Sequence, residues 1–242
     1  MKLIIAFILS LSFQDMSAWR INQTDLYNDT LLVVRRCVDF TVTGRGDHAE
    51  WTKTNWVRLK QIDNPGKSLE TNFKILYSST GLYVLFNGAD EKITSPFNND
   101  YDLLYQGDVF EVFFHPNPSS PLYFEYEVSP LNKELVLLVS QSGKKFTRWR
   151  PFGPEDKKII KKVNIRGGKM ASGSKTQGWT AELFFPYEVL GPMITEGPAS
   201  GTRWNANFCR LDYDTGNMIK WSFSPIKVSF HEIQSYLPIQ FE

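Results

Sequence analysis

Two strand-like runs joined by a Pro- and Ser-rich loop fill Tyr101–Pro130 and limit the fold more than any other stretch. Residues along Asp108–Phe114 and along Tyr123–Ser129 divide into two alternating sets, as in the two-residue period of a pleated strand, and carboxylates recur on both runs. Because successive side chains of a strand point to opposite faces, each run presents two distinct faces. The stretch therefore predicts two strands with at least one face in the core.

Carboxylates recur on one face of both runs. Glu111 shares its face with Val109 and Phe113, an apolar neighbourhood in which an unpaired charge is unfavourable. It needs a partner, and a protein cation, a metal ion and a ligand hydroxyl all fit that need. On the second run Glu125 and Glu127 share a face, so the stretch carries several candidate acidic residues.

Short strand-like segments separated by Gly- and Pro-containing turns continue along most of the chain. About ten such runs are recognisable beside a single helical turn, a pattern typical of an all-β fold. We expect a jelly-roll-like β-sandwich of two antiparallel sheets. Residues 144–178 are rich in Lys, Gly and Pro with little alternation, and they predict one long irregular loop.

The composition narrows the class of partner. The net charge is +1 over 242 residues, which gives no sign of nucleic acid or an anionic membrane as a partner. The hydrophobic share of 42% suits one domain with a sizeable core, which we assign to residues 31–242. Aromatic residues make up 14% of the chain, and they favour both strands and flat binding surfaces.

The N-terminus has the order of a secretory signal peptide. Lys2 precedes the apolar run Leu3–Phe13, and the segment Gln14–Ala18, which ends in two small residues, follows it. The run is too short to span a bilayer, so we expect export to the periplasm or the extracellular space. Residues 1–18 are then the signal and residues 19–30 a polar lead-in, and a buried N-terminal strand is the alternative.

Residues of the metal-binding types give weak signals. Cys37 and Cys209 lie in apolar runs without ligand spacing to any histidine, so we expect no zinc site and two buried free thiols, with a disulfide as the alternative. Asp212 and Asp214 could begin a calcium loop, but the remaining ligands of an EF-hand are missing. We expect a plain hairpin there, no certain cofactor, and a structural calcium ion left open.

A series of motifs goes beyond fold class. Between Val33 and Phe241 the chain contains, in this order, TGRG with AEW, GLYVLFNGAD, QGDVFEVFFHP, YFEYEVSPLN, GWTAELFFPYEVLG, RWNANFCRLDYDTG and WSFSP. This series resembles the family 9 carbohydrate-binding modules, and it is most similar to secreted, stand-alone family 9-like proteins. The resemblance implies non-catalytic binding of oligosaccharides or polysaccharides, with glycan-degrading enzymes as partners.

The resemblance also implies a binding site. In the family the sugar lies between two tryptophans, which fall here on Tyr105 and Phe230. The family's bonding carboxylate falls on Glu111, while its arginine on the next strand falls on Glu127 and its asparagine on Ser129. These departures put the family's sugar specificity in doubt for this chain.

Cations and loop aromatics complete the predicted site. A face rich in carboxylates needs positive charge, for which Arg210, Arg148 and Arg150 are the candidates. Trp149 precedes Arg150 in a weakly structured region, which favours contact with a ligand or alternatively with the sandwich itself. Glu111 and Glu127 have an alternative interpretation as carboxylates of a structural ion pair with Arg210.

The sequence leaves two other functions open. A glycoside hydrolase needs a pair of carboxylates across the scissile bond, and Glu111, Glu125 and Glu127 supply candidates. A protein-interaction module would use the Lys-rich segment to contact its partner. The resemblance favours binding without catalysis over both.

Overall fold

The structure is a computed structural model that describes residues 31–62, 69–143, 145–150 and 159–242, with the backbone alone at residue 146. The predicted signal peptide and lead-in, residues 1–30, lie outside the described residues. None of the helices in the described ranges has the length and apolar character needed to cross a membrane.

The described residues form strands joined by turns and short 3-10 helices. The strands are β1 (Leu32–Arg36), β2 (Val57–Arg58), β3 (Lys60–Gln61), β4 (Thr71–Tyr77), β5 (Gly81–Gly88), β6 (Val109–His115), β7 (Leu122–Val128), β8 (Glu134–Ser142), β9 (Lys145–Trp149), β10 (Ile160–Arg166), β11 (Gly178–Pro186), β12 (Arg203–Asp212), β13 (Ile219–Ser222) and β14 (Leu237–Phe241). The 3-10 helices are Ala49–Lys53, Leu104–Gln106, Tyr187–Leu190 and Ile233–Ser235. The all-β prediction is confirmed.

The strands follow one continuous path in the order β10-β11-β5-β4-β1-β14-β12-β6-β7-β8-β9. Every pairing along this path is antiparallel except those of β1, which runs parallel to both of its neighbours. Leu32–Val34 pair with β14, whereas Arg35 and Arg36 pair with β4. The path is therefore mixed, in contrast to the two antiparallel sheets expected from the sequence.

Aromatic side chains from both halves of this path meet in the main core. Phe110 of β6 stacks on Phe86 of β5 at 4.7 Å between ring centroids and on Trp179 of β11 at 3.8 Å. Phe73 of β4 stacks on Phe208 of β12 at 4.0 Å. These contacts join strands that are distant along the path, so both halves of the path contribute to one shared apolar layer.

The alternation in β6 and β7 works as predicted. Phe110, Val112 and Phe114 face the main core, whereas Val109 and Phe113 belong to a second buried cluster on the other face. Both faces are buried, because the second cluster lies under loops and short strands. Glu111 lies between Val109 and Phe113 in sequence and shares their face.

The TGRG and AEW motifs surround a buried carboxylate. Glu182 of β11 accepts hydrogen bonds from the backbone N–H groups of Thr43 (2.8 Å) and Gly44 (2.7 Å) and from the indole N–H of Trp51 (2.7 Å). Gly44 and Gly46 have φ of 86° and 65°, a backbone region that favours glycine. This set of bonds explains why the motifs contain glycines and a tryptophan, and why β11 carries a glutamate.

The predicted long loop at residues 144–178 is wrong in part, since it contains β9 and β10. β10 pairs with the apolar strand β11 over seven residues, and this pairing stabilises a segment whose own sequence does not alternate. Lys161 of this segment forms an ion pair with Glu134 at 3.0 Å. Lys144 and residues 151–158 of the predicted loop lie outside the described residues.

Replacing Phe110 by alanine should destabilise the protein strongly. Phe110 is fully buried between Phe86 and Trp179, so removal of its ring leaves a cavity in the shared layer. Urea unfolding should show a loss of about 3–5 kcal/mol. Val38→Ala is the control, because Val38 is 65% exposed and its truncation should change stability by about 0.5 kcal/mol or less. A loss for Phe110→Ala no larger than that of the control would contradict the packing described here.

The two cysteines should resist alkylation in the folded protein. Both are free and buried, and burial raises the pKa of the Cys37 thiol to about 12 and that of Cys209 well above its usual range. Because the thiolate is the reactive form, neither residue should react with iodoacetamide in native buffer. Both should be labelled in denaturant without reductant, as judged by intact mass. A denatured sample that takes up no label would indicate a disulfide instead.

Candidate functional site

A cleft of about 470 Å³ lies over the second buried cluster, on the face of β6 and β7 that carries the glutamates. Its lining residues come from β6, β7, β8, β9, β12, β13 and the loops beside them. They are Tyr101, Leu103, Tyr105, Glu111, Glu125, Glu127, Leu135, Leu137, Arg148, Arg150, Leu211, Met218, Lys220, Val228, Ser229, Phe230 and His231. Apolar walls therefore surround a small set of charged and polar groups, which is a common composition for a ligand site.

Three glutamates form an acidic floor in this cleft. Glu111 of β6 lies directly opposite Glu127 of β7 in the antiparallel register, and Glu125 is two residues away from Glu127 on the same face. All three are at most 4% exposed. One carboxylate oxygen from each lies within 4.8 Å of those of the other two. The floor thus concentrates acid groups in a place that water barely reaches.

Burial and mutual repulsion make these acids hold their protons tightly. Burial raises the pKa of Glu125 to about 7 and the pKa values of Glu111 and Glu127 well above their usual range. The neighbouring carboxylates add to the rise in pKa of Glu111 and Glu127, because like charges this close disfavour ionisation. At neutral pH the isolated floor therefore carries fewer than three negative charges.

A chain of polar contacts flanks the acidic floor. The Nε atom of Arg148 lies 3.8 Å from Oε2 of Glu125, and the Arg148 guanidinium donates to Nε2 of His231 at 2.7 Å. Burial, together with the charge of Arg148, lowers the pKa of His231 to about 4, so the imidazole is neutral at physiological pH. Since Nε2 accepts a bond, the ring proton resides on Nδ1, which lies 2.7 Å from the hydroxyl of Tyr123.

The aromatic residues predicted for the site lie at different depths. Tyr105 is 41% exposed at the mouth, in the short helix before β6, whereas Phe230 is only 8% exposed and packs edge-on against Phe113. Arg150 donates to the backbone carbonyl of Tyr101 at 3.0 Å, and its guanidinium lies 4.6 Å from the centre of the Tyr101 ring. The structure thus brings Tyr105, Phe230 and Arg150 to one cleft with the acidic floor.

Arg210 does not belong to this cleft, contrary to the expectation from sequence. In the β12–β6 register Cys209 lies opposite Glu111, so the next residue, Arg210, points to the opposite face. There it is fully buried and pairs with Asp212 at 2.6 Å and with Asp90 at 3.4 Å. The alternative ion pair of Arg210 with Glu111 and Glu127 fails for the same reason.

Trp149 also lies outside the set of residues that line the cleft. It follows Arg148 on β9, and the two-residue period sends the neighbouring side chains to opposite faces. Trp149 lies opposite Leu138 of β8 and is 40% exposed.

Ser129, in the place of the family's asparagine, accepts a hydrogen bond from the backbone N–H of Lys133 in the turn after β7.

Several lining residues were not assigned to the site from sequence. The sequence could have assigned Glu125, because it lies two residues before Glu127 and therefore shares its face. The sequence offers Arg148 as a candidate cation, but it does not predict strand β9 and so does not place this side chain in the cleft. The sequence does not predict the place of His231 in the cleft, because that place depends on the loop after β13, which has no periodic signal.

The hairpin expected at Asp212 and Asp214 is confirmed, because β12 and β13 pair antiparallel on either side of this turn. Oxygens of these two aspartates and Asp90 lie within 4.8 Å of one another. Arg210 already pairs with Asp90 and Asp212, and Asp214 accepts hydrogen bonds from the backbone N–H of Lys92. Protein groups thus bind part of this cluster, while Oδ1 of Asp214 accepts no hydrogen bond from any described residue.

A family comparison agrees with the geometry. The sequence model of the carbohydrate family 9 binding domain-like family matches residues 42–218. The chain belongs to this family. Membership assigns it to non-catalytic carbohydrate-binding domains and agrees with the motif series found in the sequence. No sequence among curated proteins matches the chain.

Solved structures share the family 9 fold at low sequence identity. A proposed carbohydrate-binding protein from Bacteroides uniformis superposes with a TM-score of 0.73 at 14% identity, over 87% of this chain and 98% of the other. A family 9 carbohydrate-binding module from Caldicellulosiruptor kristjanssonii, in complex with glucose, gives 0.62 at 14% identity over 87% and 95%. The same kind of module with cellotriose gives 0.64 at 14% identity over 88% and 94%.

Measurements of unfolding free energy can test the different positions of Arg210 and Arg150. Arg210→Met should lose about 3–5 kcal/mol of unfolding free energy, because it leaves the buried carboxylates of Asp90 and Asp212 without their cation. Arg150→Met, at the exposed mouth of the cleft, should lose about 1 kcal/mol or less. Urea denaturation of the two variants checks this, and equal losses would contradict the assignment of Arg210 to the interior.

Proposed function

We propose that this chain holds an oligosaccharide in the cleft, with Tyr105 and Phe230 as apolar contacts and the acidic floor as hydrogen-bond acceptors. The observation that carries the proposal is the meeting of both aromatic residues with Glu111 and Glu127 in one cleft of a family 9 domain. The related modules in complex with glucose and cellotriose make glucose-type chains the first ligands to test.

The chemistry of the cleft suits a sugar. A pyranose ring has apolar C–H faces, which pack well on aromatic rings such as the exposed face of Tyr105. Its rim of hydroxyls needs fixed polar partners, and ionised side chains form the stronger hydrogen bonds. Arg148 and Arg150 supply donors, while the glutamates accept bonds when ionised and donate one each when protonated.

The same proposal extends to the fold. We regard the strand path as a β-sandwich in which β1 connects one sheet, β10-β11-β5-β4, to another, β14-β12-β6-β7-β8-β9. The facing stacks of Phe86 on Phe110 and Phe73 on Phe208 support this interpretation. The cleft then lies on the outer face of the second sheet, away from the layer shared with the first.

Export and partners are part of the proposal. The basic start and apolar run before Ala18 support removal of a signal peptide and a periplasmic or extracellular location. A binding domain in that location would bring glycan-degrading enzymes to their substrate, and such enzymes are the proposed partners.

Truncation of the two cleft aromatics should weaken sugar binding. Tyr105→Ala and Phe230→Ala should each reduce affinity for cellotriose about tenfold or more in calorimetric titration, because each loses a face that packs on the ring. Trp56→Ala is the matched control, since Trp56 is 45% exposed outside the cleft and its loss should change affinity by about twofold or less. Circular dichroism confirms that each variant is folded.

Two results would overturn this proposal. Absence of heat with a panel of glucan, xylan and related oligosaccharides, native and with reduced ends, would exclude the binding function. New reducing ends in the incubated sugars would instead indicate a hydrolase that uses the acidic floor.

A further inference from the structure

The acidic floor contains buried oxygens that accept no hydrogen bond. Oε2 of Glu125 and Oε2 of Glu127 are inaccessible and accept no hydrogen bond from any described residue. Both side chains line the cleft and are more than nine-tenths buried. Because an unsatisfied buried acceptor is unfavourable by about 1–3 kcal/mol, these atoms indicate a donor that enters with a ligand.

Glu111 and Glu127 lack a cation of their own among the described residues, which indicates that this donor carries a positive charge. Of the other cations that line the cleft, Arg150 donates to the backbone carbonyl of Tyr101 and Lys220 to that of Val228. Arg148 lies beside Glu125 and also binds His231, so it serves one side of the floor. Glu111 and Glu127 face each other across β6 and β7, and neither forms an ion pair within the described ranges. A positive group between them would relieve the repulsion that disfavours their ionised forms.

The spacing suits an ammonium group. An ammonium nitrogen has three N–H donors, and it can reach three carboxylate oxygens at about 2.8 Å when they surround it on one side. Such oxygens are about 4.6 Å apart by tetrahedral geometry. One oxygen from each of the three glutamates lies within 4.8 Å of the other two, so the floor fits this spacing. Each glutamate would then supply one acceptor.

We propose, building on the carbohydrate-binding function above, that the floor of the cleft selects amino sugars, with the ammonium group of a glucosamine-type residue held by Glu111, Glu125 and Glu127. The sugar ring lies against the apolar walls and Tyr105, so that recognition needs both a pyranose and its amino group. Neutral sugars bind the same cleft more weakly.

A metal ion is the other source of positive charge, and the lining favours the ammonium group. Calcium takes six to eight oxygen ligands, while the cleft lining offers no carboxylate or amide side chain beyond the three glutamates. The Arg148 guanidinium, 3.8 Å from Glu125, repels a divalent ion more strongly than a monovalent one. Both features suit a monovalent cation.

Three trimers with the same β-1,4-linked backbone test the proposal. Cellotriose carries a hydroxyl at carbon 2, the glucosamine trimer a protonated amine, and the N-acetylglucosamine trimer a neutral amide. Calorimetric titration, at a pH that keeps the amines protonated, should show about tenfold or greater preference for the glucosamine trimer over cellotriose. The acetylated trimer should bind more weakly than the glucosamine trimer, because its amide carries no charge.

Variants assign the preference to the floor. Glu127→Gln should reduce the affinity ratio of the glucosamine trimer to cellotriose to about twofold or less, because the amide cannot supply a negative charge. Glu111→Gln provides the same test if the first variant fails to fold. Glu196→Gln is the control, since Glu196 is an exposed glutamate outside the cleft and its replacement should leave the ratio unchanged. Trilysine, which has ammonium groups but no sugar ring, should not compete.

The outcomes separate this inference from the proposed function. Equal affinity for cellotriose and the glucosamine trimer would overturn the amino-sugar preference while sugar binding stands. Absence of binding to every trimer would overturn both. Calcium chloride that strengthens cellotriose binding, in a manner reversed by EDTA, would identify the cation as a metal ion and overturn the ammonium assignment.

Discussion

The antiparallel register of β6 with β7 decides the two faces on which the structure depends. In this register Phe110 lies opposite Val128 and Glu111 lies opposite Glu127. The apolar pair belongs to the layer shared by the two halves, and the acidic pair forms part of the cleft floor. Because the side-chain period is two, a slip of one residue in either strand would place carboxylates in the main core. The packing of Phe110 in the core therefore also determines that Glu111 faces the cleft.

Alternation predicted faces correctly but could not predict which strands are neighbours. The sequence placed Glu111, Glu125 and Glu127 on the faces where the structure has them. It could not show that Cys209, and not Arg210, lies opposite Glu111, since cross-strand register depends on turns and on contacts distant in sequence. The same limit applies to Trp149, whose strand is stabilised by β8 and has no clear periodic pattern of its own. Motif order supplied the long-range information that periodicity lacks.

The two buried acidic clusters show different solutions to the same electrostatic problem. Asp90 and Asp212 share the guanidinium of Arg210, and Asp90 also accepts a hydrogen bond from Trp179, so a protein cation lies between these two carboxylates. Glu125 and Glu127 keep buried oxygens that accept no hydrogen bond, and both side chains line the cleft. The aspartate pair thus has a buried cation within the protein, whereas Glu111 and Glu127 form no ion pair with any described residue. The difference is therefore best explained by a ligand that supplies the missing donors.

Because the acidic floor lies on paired strands, we expect the cleft to select its ligands narrowly. Glu111 is held by the ladders of β6 with β7 and β12, and Glu125 and Glu127 by those of β7 with β6 and β8. Carboxylates on such a backbone cannot move apart to suit a ligand, so little ordering is required when one binds. A ligand must therefore match the spacing and the charge of these carboxylates. Since the main core packs on the opposite face of β6 and β7, a substitution at these positions can change the ligand without changing the packing that forms the domain.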